Sequence, residues 1–297
     1  MNISIVIPCR NSSGTINDSL RSISSQLSTE CEVIVVDCSD DDSAADIVKS
    51  YPGIKYLRQL KLFTPGVGRN IGASVATGEL LVFVDADVIL REQALDKIWN
   101  YYEQGYKIFD GSLELAKEKR VGISSHLEHQ FFNHEYQSSR SIGKRKNLSS
   151  AFFIIEKNIF ISEGGFEDIP RIEDTEFTER LAKKYGLFFI PEVAAYQIQN
   201  SLLTAVLRKI FIGGYNLYVI RYKATLAGFK RIAFVLLLPL IAFLKTTRII
   251  VRNIRYNRGS ERLWSFLLVP LIYFAGLFWV MGFCESIFFG TRVSSER

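Results

Sequence analysis

Glu79-Leu-Leu-Val-Phe-Val-Asp-Ala-Asp87 decides the fold. Five apolar residues, Leu80 to Val84, run straight into Asp85 and Asp87. So short an apolar run reads as a strand buried on both faces, the pattern of parallel sheets. The two acids then stand where the strand releases the chain at its carboxyl edge, which is where open α/β sheets bind ligands. Side chains alternate along an extended chain, so Asp85 and Asp87 point the same way and can approach one ion.

Working outward, the same grammar repeats. Ile3–Pro8 and Cys31–Asp37 are β-rich runs, the second again ending on an acid, and Ile54–Leu60 is a third. Between them, Ser13–Gln26 carries Ile16, Leu20 and Ile23 at helical spacing, continued by Leu27 just beyond it, and Ser43–Tyr51 reads as a short helix. Pro65–Thr77 is a helix with proline near its start, where proline is tolerated. Gln93–Glu103 follows the strand at Leu80–Val84. Strands alternating with helices predict a mostly parallel sheet covered on both faces. Lys107–Leu115, Ser150–Glu156 and Leu187–Ile190 read as further strands, and Asp174–Tyr185 as a helix stopped by Gly186.

The chemistry gathers at a few points. Asp85 and Asp87 are hard oxygen ligands, suited to Mg²⁺ or Mn²⁺ shared with phosphate oxygens. A second pair, Asp40 and Asp42, lies in a polar stretch before a helix and reads as a solvated loop. Glu173-Asp-Thr-Glu-Phe-Thr-Glu-Arg180 supplies a third carboxylate set. Three such sets at one rim suggest a metal, a nucleotide and a base in one cleft. Gly66-Val-Gly-Arg-Asn-Ile-Gly72 has one residue too many before its third glycine for a dinucleotide fingerprint. Arg69 within it can offer a fixed cationic fork to a diphosphate. The small residues Gly72, Ala73, Ala76 and Gly78 let that helix pack closely on the sheet.

Composition divides the chain. Residues 1–192 hold 22 Lys/Arg against 28 Asp/Glu, whereas residues 193–260 hold 11 Lys/Arg and no acid. A basic stretch beside apolar runs points to anionic membrane lipids, and no nucleic-acid recognition motif is present. Leu202 to Phe211 has a basic amphipathic pattern suited to a membrane interface. Ile232–Leu244 is apolar over 13 residues, and Trp264–Cys284 is 21 residues without a charge. Only the second reaches the ~30 Å hydrocarbon thickness as a helix, so it is the expected span. The first reads as interfacial or re-entrant, because were it to cross, Lys245, Arg248, Arg252, Arg255, Arg258 and Arg262 would face outward; the alternative is a two-span hairpin with Lys245 and Arg248 snorkelling. The expected organisation is a domain over 1–200, interface helices over 201–231 and a membrane region over 232–290. The N-terminus lacks a signal-peptide pattern, which places the first domain on the cytoplasmic side of the cell membrane. Cys9, Cys31, Cys38 and Cys284 have no zinc spacing and read as reduced. His126, His129 and His134 read as a helical surface or acceptor contact.

Taken in order, Val6-Ile-Pro-Cys-Arg-Asn11, Val35-Val-Asp37, Gly68-Arg-Asn-Ile-Gly72 with Ala76-Thr-Gly78, Phe83-Val-Asp-Ala-Asp87, Gly164-Gly-Phe-Glu-Asp168 and Glu173-Asp174 through Arg180 resemble family-2 glycosyltransferases of the GT-A fold. The resemblance covers about residues 3–197. It implies an inverting transferase that takes a sugar from a nucleotide-diphosphate sugar. By it, Pro8, Arg10, Asn11 and Asp37 hold the nucleoside, and Arg69 sits near the diphosphate. Asp85 and Asp87 bind the metal–nucleotide complex with Mg²⁺ or Mn²⁺. Asp174 is the general base and Glu173 shapes the acceptor site. The lipid-facing third of the chain points to a lipid-linked or cell-surface glycan acceptor. Relatives often carry a histidine after the last strand that helps hold metal or phosphate; here Gln197 is expected in its place. Cys38 stands where a second Asp commonly follows Asp37. The alternatives are a polyprenyl-phosphate sugar synthase, whose phosphate acceptor needs little help from a base, and a non-catalytic sugar-nucleotide-binding membrane protein.

Overall fold

The computed structural model describes residues 2–119, 121–169, 171–199, 202–223, 225–226 and 228–290. They divide into two compact units. The first holds the chain up to Ala116 together with Arg140–Ile169 and Glu173–Ile198; the second holds Lys117–Ser139 and the helices after Gln199.

The first unit is a nine-stranded sheet with helices on it. Strands β1 (Ile3–Cys9), β2 (Cys31–Asp37), β3 (Ile54–Arg58) and β4 (Leu80–Val84) pair in parallel, in the order β3-β2-β1-β4. Helices α1 (Ile16–Ser24), α2 (Ser43–Lys49) and α3 (Pro65–Val75) make the crossovers. Beyond β4 the sheet continues through β8 (Phe152–Glu156), β6 (Ile108–Leu115), β9 (Leu187–Gln197) and β5 (Val88–Leu90), with β7 (Gly143–Arg145) paired on β9. Helices α4 (Ala94–Glu103), α6 (Lys157–Ser162) and α7 (Glu173–Leu181) complete the unit.

The sheet is therefore mixed, not mostly parallel: β8 runs antiparallel to both β4 and β6, and β5 and β7 run antiparallel to β9. Both faces of β4 are covered, and all five of its residues are buried. Phe83, Phe153, Phe160, Phe166 and Phe177 pack as one aromatic cluster under α3 and α7. β9 runs to Gln197, well past Ile190, because the register against β6 shifts between Gly111 and Ser112 and then resumes. Gly111 has no room for a side chain: an added Cβ would lie 2.1 Å from the Val193 carbonyl oxygen.

The second unit is helical. Its members are α5 (Ile123–Phe132), α8 (Leu203–Arg221), α9 (Gly228–Tyr256), α10 (Gly259–Leu267) and α11 (Val269–Phe288). Ile232–Leu244 is not a short segment but the middle of the 29-residue α9, about 43 Å long. The run from Trp264 is broken at Leu268, with Pro270 in the first turn of the next helix, so the apolar helix is Val269–Phe288. Among the described residues three helices, α8, α9 and α11, are long and apolar enough to cross a membrane. The histidines belong to this unit, and His126 and His129 are buried on α5, not on a helical surface.

Candidate active site

The site lies in the first unit, at the carboxyl ends of β1, β2 and β4. Its hub is Arg69. The glycines on either side explain why an arginine can sit there. An added Cβ at Gly66 would touch Phe166 and Glu173, at Gly68 it would enter the Phe63 ring, and at Gly72 it would meet Val6 Cγ1 at 2.3 Å. α3 thus lies hard against β1 and the 164–168 turn, capped by the Thr64 hydroxyl and begun by Pro65. Asn70 fixes that turn, donating to the Phe166 carbonyl (2.7 Å) and accepting from the Phe166 amide (3.0 Å). Gly164 and Gly165 carry the positive φ angles the turn requires.

Arg69 is 2% exposed and reaches two carboxylates. Its Nη2 donates to Asp85 Oδ1 at 2.6 Å and its Nη1 to Glu173 Oε1 at 2.9 Å. Burial alone would lower the guanidinium pKa; the charges of Asp85 and Glu173 outweigh it and hold the group charged. Its Nε is buried without a hydrogen-bond partner among the described residues.

Asp174 stands beside Glu173 in the first turn of α7. Its Oδ1 accepts from the Thr175 amide at 2.7 Å and its Oδ2 faces the Ser150 amide at 3.5 Å. Desolvation, then the charge of Glu173, push it up to about 6, with Arg69 acting the other way. A carboxylate so placed suits proton abstraction near neutral pH. Ser150 also ties the two halves together, since the adjacent Ala151 carbonyl accepts from the Asp85 amide at 3.0 Å. The segment Ser149–Ala151 had no signature in the sequence. Its place follows from the antiparallel pairing of Val84 with Phe152, which sets it opposite Asp85.

Asp87 meets β9. Gln197 Nε2 donates to Asp87 Oδ1 at 3.3 Å, so the glutamine stands at the Asp-x-Asp pair. Among the described residues no group of three or more His, Cys, Asp or Glu side chains is arranged around a metal position. The donor set nevertheless fits a hard divalent cation. Both carboxylates are part-exposed, and the remaining ligands would be diphosphate oxygens.

Asp37 is fully buried and its oxygens are taken up inside the protein. Oδ1 accepts from the Ser39 amide (2.8 Å) and hydroxyl (2.5 Å), Oδ2 from the Tyr56 hydroxyl and Arg58 Nη1, both at 2.7 Å. Burial would raise its pKa, but these donors outweigh it and hold the carboxyl below the ordinary range. The same field, with burial as the larger cause, raises Tyr56 to about 12 and Cys9 to about 12. Ser39, Tyr56 and Arg58 escaped the sequence reading, because nothing in a lone strand end marks the partners of its last acid. The loop after β1 is clamped to the same place. Asn11, at φ 51, receives Asp40 on its side-chain oxygen (2.9 Å) and donates to Asp40 Oδ2 (2.6 Å) and to Ser39 Oγ (2.8 Å, from its backbone amide). Asn tolerates that left-handed conformation better than most residues. Pro8 lies opposite Val36 in the paired part of β1, which ends at Cys9, and Arg10 Nε is buried without a partner among the described residues. Arg180 is structural: it forms a two-pronged pair with Glu176 and donates to the Gly165 carbonyl.

Residues 4–169, more than half of the chain, match the family model described as Glycosyl transferase family 2. The chain belongs to glycosyl transferase family 2. It is similar to an uncharacterized glycosyltransferase of Haemophilus influenzae, 25% identical over 206 residues, 67% of this chain and 66% of that one. It is also similar to the poly(ribitol-phosphate) beta-N-acetylglucosaminyltransferase TarP of Staphylococcus aureus, 30% identical over 105 residues, 33% of this chain and 32% of that one. The chain thus spans less than two thirds of the length of these curated relatives. Two solved structures share the fold. The mannosyltransferase PcManGT of Pyrobaculum calidifontis, in complex with GDP-Man and Mn²⁺, superposes with a TM-score of 0.64 at 15% identity, over 97% of this chain and 87% of that one. S. aureus TarS 1–349 in complex with UDP-GlcNAc superposes with a TM-score of 0.56 at 17% identity, over 99% and 93%.

Proposed function

We propose that this family-2 glycosyltransferase inverts a sugar as it moves it from a nucleotide-diphosphate donor to a hydroxyl of a lipid-linked or cell-surface glycan. The observation that carries the reading is the buried Arg69. It joins Asp85, beside the end of β4, to Glu173, the neighbour of a base raised to about 6. Donor-side and acceptor-side carboxylates are thereby one connected set.

Asp174, ionised above about pH 6, takes the proton of the attacking hydroxyl. The hydroxyl oxygen forms a bond to the anomeric carbon from the face opposite the diphosphate. The carbon–oxygen bond to the diphosphate breaks, and its electron pair leaves with the nucleoside diphosphate. Attack from that face inverts the centre and needs no enzyme nucleophile. Asp85 and Asp87 would hold Mg²⁺ or Mn²⁺, which when bound neutralises charge on the departing diphosphate. Glu173 shapes the acceptor side and keeps Arg69 in place. The nucleoside would meet Pro8, Arg10 and Asn11, with Asp37 acting through Ser39 and Arg58. Arg58 keeps 27% of its side chain exposed while Asp37 keeps none.

The helices of the second unit support a membrane location, with anionic lipids as partners and the catalytic unit on the cytoplasmic side. The test is nucleotide release by detergent-purified protein given UDP-, GDP- and dTDP-sugars with Mn²⁺, Mg²⁺ or EDTA, with and without a membrane lipid extract. Metal-dependent release from one donor, lost in Asp174→Asn and Asp87→Ala, is expected. Turnover by Asp174→Asn at the wild-type rate would sink the assignment of the base and favour a phosphate acceptor.

A further inference from the structure

α10 is built inside out. Glu261 and Ser265 face protein, while Leu263, Phe266 and Leu267 face away from it. Glu261 and Ser265, one turn apart, are buried; Leu263, Phe266 and Leu267 are 61%, 53% and 60% exposed. In water that arrangement would be unfavourable on both faces. The buried face is held by a polar network. Glu261 Oε2 meets His126 Nδ1 at 3.1 Å, the Glu261 carbonyl accepts from Gln130 Nε2 and Ser265 Oγ, and Asn257 donates to Ser265 at 3.0 Å. Lys117 lies 3.7 Å from the other Glu261 oxygen, and the Trp264 ring stacks on His126 at 4.2 Å. Arg255 in the last turn of α9, Arg258 at the N-cap of α10 and Arg262 within α10 are all exposed.

Chain connectivity gives this corner a direction. α5 is inserted between β6 and β7 of the sheet, and at ten residues it is too short to cross a bilayer. It therefore stays on the catalytic side. α5 and the residues after it grip the end of α9: Asn253 donates to the Gln130 carbonyl at 2.9 Å and accepts from Gln137 at 3.1 Å, while Arg252 pairs with Glu135. The α9–α10 corner is thus tied to that same side.

Resting on the membrane reading above, we infer that α10 is an interfacial anchor: Leu263, Phe266 and Leu267 enter the leaflet facing the catalytic unit, and Arg255, Arg258 and Arg262 engage the acidic headgroups of its phospholipids. Basic residues near such a surface add to its attraction for the chain. An apolar face with exposed arginines near it in sequence matches an anionic lipid surface and is a poor match for an acidic protein groove, which would leave the apolar face wet. The anchor lies outside the stretch whose sequence pattern announced an interface helix.

The test uses the full-length protein with Cys31→Ser and Cys284→Ser, since Cys9 and Cys38 are buried. A polarity-sensitive fluorophore is placed at Phe266→Cys or, as an aqueous reference, at Glu92→Cys. The protein is reconstituted into phosphatidylcholine vesicles with or without phosphatidylglycerol, some carrying a shallow spin-labelled lipid. The expected result is blue-shifted emission at position 266, quenched by the shallow label and more strongly with phosphatidylglycerol, and neither effect at position 92. Replacing the three arginines by glutamine should remove the phosphatidylglycerol dependence, and replacing them by lysine should restore it. Protein that floats with the vesicles yet shows an aqueous label at 266 would overturn the anchor alone. Quenching at 266 that ignores phosphatidylglycerol would overturn the headgroup contact. Protein that does not float would overturn the membrane reading and the anchor with it.

Discussion

At the scale of single residues, the proposed chemistry turns on two side chains whose environments pull against each other. Asp174 is raised to about 6 because the fold disfavours its ionised form. As a base it works only when ionised, so turnover should fall as pH drops through about 6 and level off above it. The same shift has a cost in stability. Folding favours the protonated acid, a contribution present below the ordinary carboxylate pKa and lost as pH rises through about 6. Asp174→Asn, neutral throughout, should therefore abolish turnover yet melt higher than wild type above pH 6, by on the order of 1 kcal/mol after allowing for solvent. The two melting curves should converge in acid. Arg69→Met acts in the opposite sense. It leaves Asp85 and Glu173 without their shared cation and should destabilise the protein by about 3 kcal/mol or more in denaturant unfolding. It also removes a charge that lowers the Asp174 pKa, so the acid limb of any residual activity should move to higher pH. The acids themselves were legible in the sequence because each ends an apolar run or opens a helix. Their partners Ser39, Tyr56, Arg58 and Ser150 were not: Tyr56 and Arg58 arrive from β3, Ser150 from the turn before β8, and nothing marks the Ser39 side chain as turning back on Asp37.

At the scale of elements, α3 shows how a motif read as chemistry is also a packing device. Only Arg69 in Gly66–Gly72 touches the carboxylates; the glycines bring its backbone close enough to do so. Gly72→Val should cost about 1–3 kcal/mol by crowding Val6, read as a lower denaturation midpoint with donor affinity also reduced. β9 carries the other informative element. Gln197 faces Asp87, so Gln197→His should lower the Mn²⁺ concentration giving half-maximal activity. Unchanged metal dependence would remove Gln197 from the metal site. The strands β1, β2 and β4 could be read directly, since each is an apolar run with a clear stop. β5 and β7 could not, at three residues each. α9 was under-read because its last three turns carry Arg248, Arg252 and Arg255, which look like a loop until Asn253 and Arg252 are seen paired within the helical unit.

At the scale of the whole molecule, the split in composition corresponds to two units that differ in how much apolar surface they expose. The sheet unit exposes few large apolar residues, such as Leu60 and Ile161, whereas the helical unit exposes many, among them Leu236, Leu240, Phe274 and Leu277. Alkaline carbonate washing should leave the protein in the membrane pellet, as expected for crossing helices but not for a peripheral protein. The division also has a consequence for anyone wishing to handle the catalytic half alone. Lys117–Ser139 interrupts the sheet unit in sequence but folds with the C-terminal helices. A chain ended at Ile198 would keep α5 and strip away Glu261 and Asn253, leaving His126 and Gln130 without the partners that justify their burial. The separable enzyme is defined by two cuts, not one: removal of everything after Ile198 and replacement of 117–139 by a short polar loop joining β6 to β7.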